Sequence, residues 1–241
     1  MFDALIIAAG EGQRLRDEGI KKSKPLVEIK GIPLIQRLID NFVQNGASSL
    51  NCIVNEKSND LSEYLTYSRF DIPLHLIVKS TPSSLHSFYE LRNFIKEDRF
   101  LLTTADSVFL NGEFNSFIKF CAMNNNSDGI IAVTDYVDDE RPLYVDVDVE
   151  MNILKFADSV SNEKFITGGL YFFKRSVLLQ LEKTAKSGTV RLRNYLKSLC
   201  ENNYNLFAYK FTKIIDVDHI SDIEKAEEFL ADNSYCMKER K

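Results

Sequence analysis

Two rhythms of apolar and polar positions alternate along the chain. Short continuous apolar runs, the signature of buried strands, occur at Asp3–Ala9, Leu50–Val54, Leu74–Val78 and Gly129–Thr134. Between them, apolar residues recur three and four apart. From Pro33 to Gly46 these are Leu34, Ile35, Leu38, Ile39, Phe42 and Val43, a helix that Pro33 opens and Gly46 closes. A polar helix is predicted around Asn59–Tyr67. Another covers Ser84–Ile95, with Leu85, Phe88, Leu91 and Ile95 on one face, and Phe114–Met123 is also helical. Arg99–Phe109 reads as a strand that ends in an acid, Asp106.

The second half changes character. Tyr144–Glu150 alternates strictly, as a strand with one wet face does. Phe165–Phe173 is a strand interrupted by two glycines. Helices follow around Ser176–Ala185 and Leu192–Asn202, then a strand at Asn205–Phe211. A closing helix is predicted with Ser221 as N-cap and Glu224 as its capping-box partner. About six such alternations predict an α/β fold of three layers, α/β/α, around a mostly parallel mixed sheet. No linker or repeat divides the chain, so one domain is expected over residues 1–235, with a frayed basic tail at 236–241.

Composition narrows the class without naming a chemistry. The chain has 241 residues, 44 % apolar and 27 % charged, as ordinary globular proteins do. The net charge of −5 argues against nucleic-acid and anionic-membrane partners. No apolar run approaches the ~18 residues that span a bilayer. The N-terminus has no basic leader region or small-residue cleavage site, so the cytoplasm is the expected compartment. Cys52, Cys121, Cys200 and Cys236 have no metal-ligand spacing and read as reduced thiols.

The chemistry starts where the first strand stops, in the stretch IIAAGEGQRLR from Ile6 to Arg16. Glycines after a strand allow close backbone approach to a ligand, and two arginines nearby suit an anion. The dinucleotide fingerprint fails, because Leu15 stands at its third glycine. The Walker loop fails as well, with Leu15–Arg16 in place of Gly–Lys. What remains is G-x-G-x-R-L, a long basic loop, then Lys24–Pro25–Leu26 and the G-x-P-L-I of Gly31–Ile35.

That succession resembles the N-terminal signature of the nucleotidyltransferases that make nucleotide sugars and related activated phosphates. Asp106, the TGGLYFF of Thr167–Phe173 and the IIDVDH of Ile214–His219 resemble later parts of the same family, so the likeness spans nearly the whole chain. It implies a Rossmann-like fold of the glycosyltransferase-A-like type. It implies an NTP condensing with a phosphorylated acceptor, a sugar 1-phosphate first, to give an NDP-sugar and pyrophosphate, with Mg²⁺ as cofactor. The partners implied are small molecules, with room for a homo-oligomer.

The residues then take roles. Ala8, Ala9, Gly10 and Gly12 would wrap the nucleotide with backbone N–H groups, and Arg14 and Lys24 would stabilise charge on the phosphates. Asp106, at the carboxyl end of a central strand, is the candidate metal ligand and touches the nucleotide. Asp216 and Asp218, two apart on a strand, are expected on its same side to complete the metal site. Ser83 and Ser84 occupy the family's base-side turn and are candidates for base or ribose contacts. Thr167, Gly168 and Gly169 would face the acceptor, and Arg191 and Arg193 could reach its phosphate. Other readings stay open: a cytidylyltransferase for a non-sugar alcohol phosphate such as phosphocholine, a glycosyltransferase of similar architecture using Asp146–Asp148 as its D-x-D, or a non-catalytic nucleotide-sugar-binding protein. Neither base nor acceptor identity follows from these residues.

Overall fold

The computed structural model describes residues 1–138, 140–160, 164–186 and 191–236, with side chains to residue 231. Residues 237–241 of the expected tail, and the side chain of Cys236, lie outside the described residues.

In chain order the strands are β1 Phe2–Ala8, β2 Glu28–Ile29, β3 Ile32–Pro33, β4 Ala47–Val54, β5 Leu74–Val78, β6 Arg99–Thr104, β7 Ser107–Val108, β8 Gly129–Thr134, β9 Tyr144–Val147, β10 Ile153–Ala157, β11 Phe165–Lys174, β12 Leu206–Lys210 and β13 Ile215–Asp216. The helices are α1 Gln13–Asp17, α2 Leu34–Gln44, α3 Asn59–Tyr67, α4 Ser84–Leu91, α5 Asn111–Met123, α6 Leu178–Lys186, α7 Leu192–Glu201 and α8 Ile220–Cys236.

β1 lies between β4 and β6 and is parallel to both, and β5 continues the parallel half beside β4. β11 runs antiparallel to β6, β8 and β9, which makes the sheet mixed. Side-chain alternation along β1 feeds both faces. Ala4, Ile6 and Ala8 join Phe42, Leu61, Phe114 and Phe117 under α2, α3 and α5. Leu5 and Ile7 join Phe88, Leu181 and Tyr195 under α4, α6 and α7. The three predicted layers are therefore present, and each face buries large apolar side chains that contribute about 1.5–3 kcal/mol apiece. Burial raises the Cys52 thiol to about 12 and the Cys200 thiol to about 11. Cys52 fills the core, and Cys200 packs half-buried against it.

Four details differ from the sequence reading. α4 ends at Leu91, and a 3₁₀ turn at Arg92–Phe94 carries the chain on to Ile95. The alternating strand stops at Val147. Asp148 turns the chain instead, accepting N–H groups from Glu150 and Asn152 and the Asn152 side-chain amide, so it is spent on a turn. β6 ends at Thr104, and Asp106 lies just beyond it. Finally, α8 starts at Ile220, so Ser221 is inside the helix and is not its N-cap. Asp222 reaches back to the N–H groups of Asp218 and His219, and the Glu18 carboxylate accepts the Ile220 N–H. Asp222 thus supplies a local acceptor from the helix's own first turn, while the exposed Ile220 N–H goes to a carboxylate from a distant loop, which sequence spacing cannot foresee.

Candidate active site

The loop after β1 departs from the sheet at Ala9 and enters α1 through Gly12, whose φ of +61° belongs to the left-handed region. A Cβ there would stand 3.0 Å from the Lys24 Cβ. Gly12 thus serves the turn and lets the two ends of the long loop touch. Leu15 is buried and anchors α1, leaving Arg14 on the open side. At the loop's far end Pro25 is buried in a 3₁₀ turn, Lys24–Leu26, which aims Lys24 inward. Its ammonium meets Asp106 Oδ2 at 2.6 Å and Asp218 Oδ1 at 2.5 Å. Arg14 spans Asp218 Oδ2 at 2.6 Å and Glu140 Oε2 at 2.8 Å.

The acids reach this point through a small ladder. β7 pairs with β13, Asp216 opposite Ser107, and the Val217 N–H donates to the Asp106 carbonyl. Asp106 and the DVD segment, over a hundred residues apart in the chain, are thereby side by side. Asp216 accepts the Ser107 hydroxyl at 2.8 Å. Among the described residues no group of three or more His, Cys, Asp or Glu forms a ready-made metal cage. Asp106 Oδ1 is covered by protein and has no hydrogen-bond partner among the described residues. Burial works to raise the Asp106 carboxyl, but the Lys24 ammonium overcomes it and holds the group below the usual carboxylate range. Burial works to lower Lys24 as well, and Asp106 and Asp218 together hold it above the ordinary lysine value.

Two cavities meet at this cluster. The larger, about 700 Å³, has the Ala8–Arg14 loop and Lys24 on one side, Ser80–Ser84 on the other and Thr104–Asp106 at its base. The smaller, about 220 Å³, is lined by Thr167, Gly168, Tyr136, Asp216 and Lys225, and shares Arg14 and Asp218 with the first. A cleft at the carboxyl ends of parallel strands is where open α/β sheets bind ligands. Its basic loop suits an anionic molecule in the larger cavity, while the adjoining cavity is polar, with Asp138, Glu140, Asp216, Asp218 and Asp222 in its lining beside Arg14 and Lys225.

The nucleotidyl transferase family profile matches residues 3–233. The chain belongs to the nucleotidyl transferase family. Among curated relatives it is 25 % identical over 202 residues to the bifunctional protein GlmU of Methanocaldococcus jannaschii, covering 82 % of this chain and 47 % of that protein. It is 27 % identical over 191 residues to a mannose-1-phosphate guanyltransferase of Gibberella zeae, covering 74 % and 51 %. The chain thus spans about half the length of the curated relatives it matches. Solved structures share the fold. The inositol-1-phosphate CTP transferase of T. maritima has a TM-score of 0.79 at 18 % identity, covering 95 % of this chain and 97 % of that one. The CTP:phosphocholine cytidylyltransferase LicC of Streptococcus pneumoniae has 0.74 at 21 %, covering 95 % and 99 %.

Around the two cavities the predicted residues are distributed as follows. Ala8, Ala9, Gly10, Gly12, Arg14, Lys24, Ser83, Ser84, Asp106 and Asp218 all border the larger cavity. Ser83 stands at the N-cap position of α4, yet its hydroxyl pairs with His86 Nδ1 rather than capping the helix. Thr167, Gly168 and Asp216 border the smaller cavity. Gly169 does not. At φ +75° it makes a bulge in β11 whose Cβ position is 2.7 Å from the Ser107 hydroxyl. Arg191 and Arg193 line a third depression, which shares Glu140 with the smaller cavity, and Arg193 is braced by Asp158 and the Arg141 carbonyl. β13 ends between Asp216 and Asp218, yet both border the smaller cavity, and Asp218 borders the larger one as well. Sequence reasoning missed Glu140, Asp60 and Lys225. Each is one charge among others in a polar stretch, and only tertiary contact singles it out.

Proposed function

We propose that the chain joins an NTP to a phosphorylated acceptor with release of pyrophosphate. The observation that carries this reading is the convergence of Lys24 and Arg14 on Asp106 and Asp218 where the two cavities meet. The names of the curated relatives support a sugar 1-phosphate as acceptor. Those of the solved structures, which include phosphocholine and inositol-phosphate enzymes, support another alcohol phosphate as the runner-up. The reading takes residues 1–235 as one catalytic unit in the cytoplasm. Among the described residues no helix is long and apolar enough to cross a membrane. A glycosyltransferase is the weaker reading, since the Asp148 carboxylate of the D-x-D is used within its own turn.

Near neutral pH the acceptor's phosphate is already ionised, so no side chain must first remove a proton. One of its oxygens attacks the α-phosphorus in line. The bond from that phosphorus to the β-phosphate's bridging oxygen breaks, and pyrophosphate leaves. The protein's task is to hold two anions together and spread the added charge. Backbone N–H groups around Gly10 and Gly12 take the phosphates closely. Arg14 can form a bidentate contact, and Lys24 places a point charge beside the reacting centre. Ser83 and Ser84 hold the base side, and Thr167, Gly168 and Asp216 receive the acceptor. Arg191 and Arg193 steer anionic acceptors from the adjoining depression.

The donor set fits Mg²⁺. Asp106 offers a covered oxygen without a protein partner, and Mg²⁺ prefers one or two carboxylates with phosphate oxygens and waters to an all-protein cage. Asp106 would hold it with Asp218, Asp216 or both. When bound, it supplies charge neutralisation across the phosphates. A matrix of four NTPs against sugar 1-phosphates and other alcohol phosphates, read by pyrophosphate release with Mg²⁺, tests the proposal. Release with one pair, abolished by EDTA, is expected. No release across the matrix overturns it.

A further inference from the structure

Lys24 carries much of the site, yet it stands at the far end of the long loop, in the Lys24–Leu26 turn outside the sheet. Besides the turn itself, two sets of polar contacts hold it. One is its own ion pairs, which a bound nucleotide and cation must rearrange. The other does not involve the site at all. Ser23, immediately before Lys24, is buried, and both its N–H and its hydroxyl are directed at one carboxylate, Asp60. The N–H reaches Oδ2 at 2.8 Å and the hydroxyl reaches Oδ1 at 2.5 Å. Asp60 is itself fixed in the first turn of α3, where its Oδ1 also accepts the Leu61 N–H at 2.9 Å. Ser23 occupies the N-cap position of the Lys24–Leu26 turn but makes no side-chain cap there, its hydroxyl being committed to Asp60.

The chemistry of this fork is specific. A carboxylate taking two donors from one residue fixes that residue's backbone in position and in rotation, which a single bond does not. These bonds lower the Asp60 carboxyl against the opposing effect of burial, so it stays an acceptor at neutral pH. Asp60 lies on a helix whose Leu61 and Leu65 are fully packed in the core, so the pin ties the loop to rigid structure. Lys24 follows one residue later, and Pro25 removes freedom at the next.

We propose that Asp60 is a positioning residue for Lys24. It pins Ser23 so that the ammonium enters the cleft at a set height and stays there when its carboxylate partners turn to the substrates. The inference rests on the proposed role of Lys24, but its geometry can be tested without any reaction.

The test is amine acylation with an N-hydroxysuccinimide ester, mapped by peptide mass spectrometry on the full chain. The Lys24 side chain is 13 % exposed and should react slowly, while Lys22, 63 % exposed, serves as the control two residues away. Asp60→Ala and Ser23→Ala should each speed Lys24 acylation several-fold and leave Lys22 unchanged. Asp60→Asn, which keeps an acceptor for the Ser23 N–H, should fall between. Should Asp60→Ala not fold, Ser23→Ala decides the matter, since it removes one arm only. Unchanged Lys24 labelling, or an equal rise at every lysine, overturns the proposal. Once a substrate pair is known, Asp60→Ala should cost about tenfold in turnover, and should cost little when Lys24 is already alanine. An equal cost in both backgrounds also overturns it. Failure of the nucleotidyl-transfer reading would show as no pyrophosphate from the unaltered chain and would leave the labelling result standing.

Discussion

A lysine set between two carboxylates behaves differently from a lysine on a loose loop. In the free protein Lys24 neutralises Asp106 and Asp218, so Lys24→Ala should affect stability as well as rate. Turnover should fall about a hundredfold, one preorganised donor at developing charge being worth about 3 kcal/mol. In metal-free buffer the variant should also lose about 1–2 kcal/mol of stability, because two carboxylates are left facing each other with partial solvent access. Mg²⁺ should restore part of that loss. Urea denaturation with and without Mg²⁺ checks this, and equal stabilities of variant and parent would refute it. The acids should separate by partner. Asp106→Asn and Asp218→Asn should raise the Mg²⁺ needed for half-maximal rate. Asp216→Asn should raise it less, since its Oδ1 is committed to Ser107 on the side of the smaller cavity. A Mg²⁺ titration of initial rate that ranks Asp216→Asn first would reverse that order.

Two elements carry strain or charge that helix and strand patterns do not display. The β11 bulge depends on Gly169, whose positive φ costs an L-residue roughly 1–2 kcal/mol and whose Cβ position meets the Ser107 hydroxyl. Gly169→Ala should therefore destabilise by at least that much in urea and displace the Ser107–Asp216 contact. A neutral substitution would mean the bulge is dispensable. The other element is the start of α8, closed by Glu18 from the signature loop. Hydrogen bonding to Glu18 raises His219, and hydrogen bonding to His219 and to the Ile220 N–H lowers Glu18. The His219 contribution is present in full below its unfolded value of about 6.5 and is lost as pH rises through its raised folded value. The Glu18 contribution is present above its unfolded value and is lost as pH falls through its lowered folded value. Between about pH 6 and 8, Tm should thus fall more steeply with pH in the parent than in Glu18→Gln. Parallel profiles would show that the pair does not hold the loop. Ser221 and Glu224 match a capping box in spacing, yet a carboxylate about two hundred residues away in sequence took the exposed donor.

For the whole molecule, a ligand held by both loop and sheet should stabilise the fold by mass action. An NTP with Mg²⁺ at a hundred times its Kd should add about 2.7 kcal/mol, which for a chain of this size is a rise in Tm of several degrees. The one NTP of four that produces it names the base, and no shift with any of them would count against the larger cavity as the nucleotide site. The apolar rhythm by itself determined the layers, because strand and helix periodicities are local and every buried face must show one. β5, β8 and α3 appear in the structure with the bounds the pattern predicts. The glycine–arginine loop and Lys24–Pro25 were legible for a related reason: close backbone approach and fixed charge demand particular residue types at short spacing. Only the tertiary structure decided how the acids divide. Asp216 and Asp218 differ in neither type nor neighbourhood along the chain, and the β7–β13 ladder gives one to Ser107 and the other to Lys24 and Arg14. Likewise Asp60 and Glu140 are acids in polar stretches, with nothing along the chain to set them apart from their neighbours. A carboxylate has no periodicity to advertise, and its role is set by whichever donor the fold carries to within hydrogen-bonding distance.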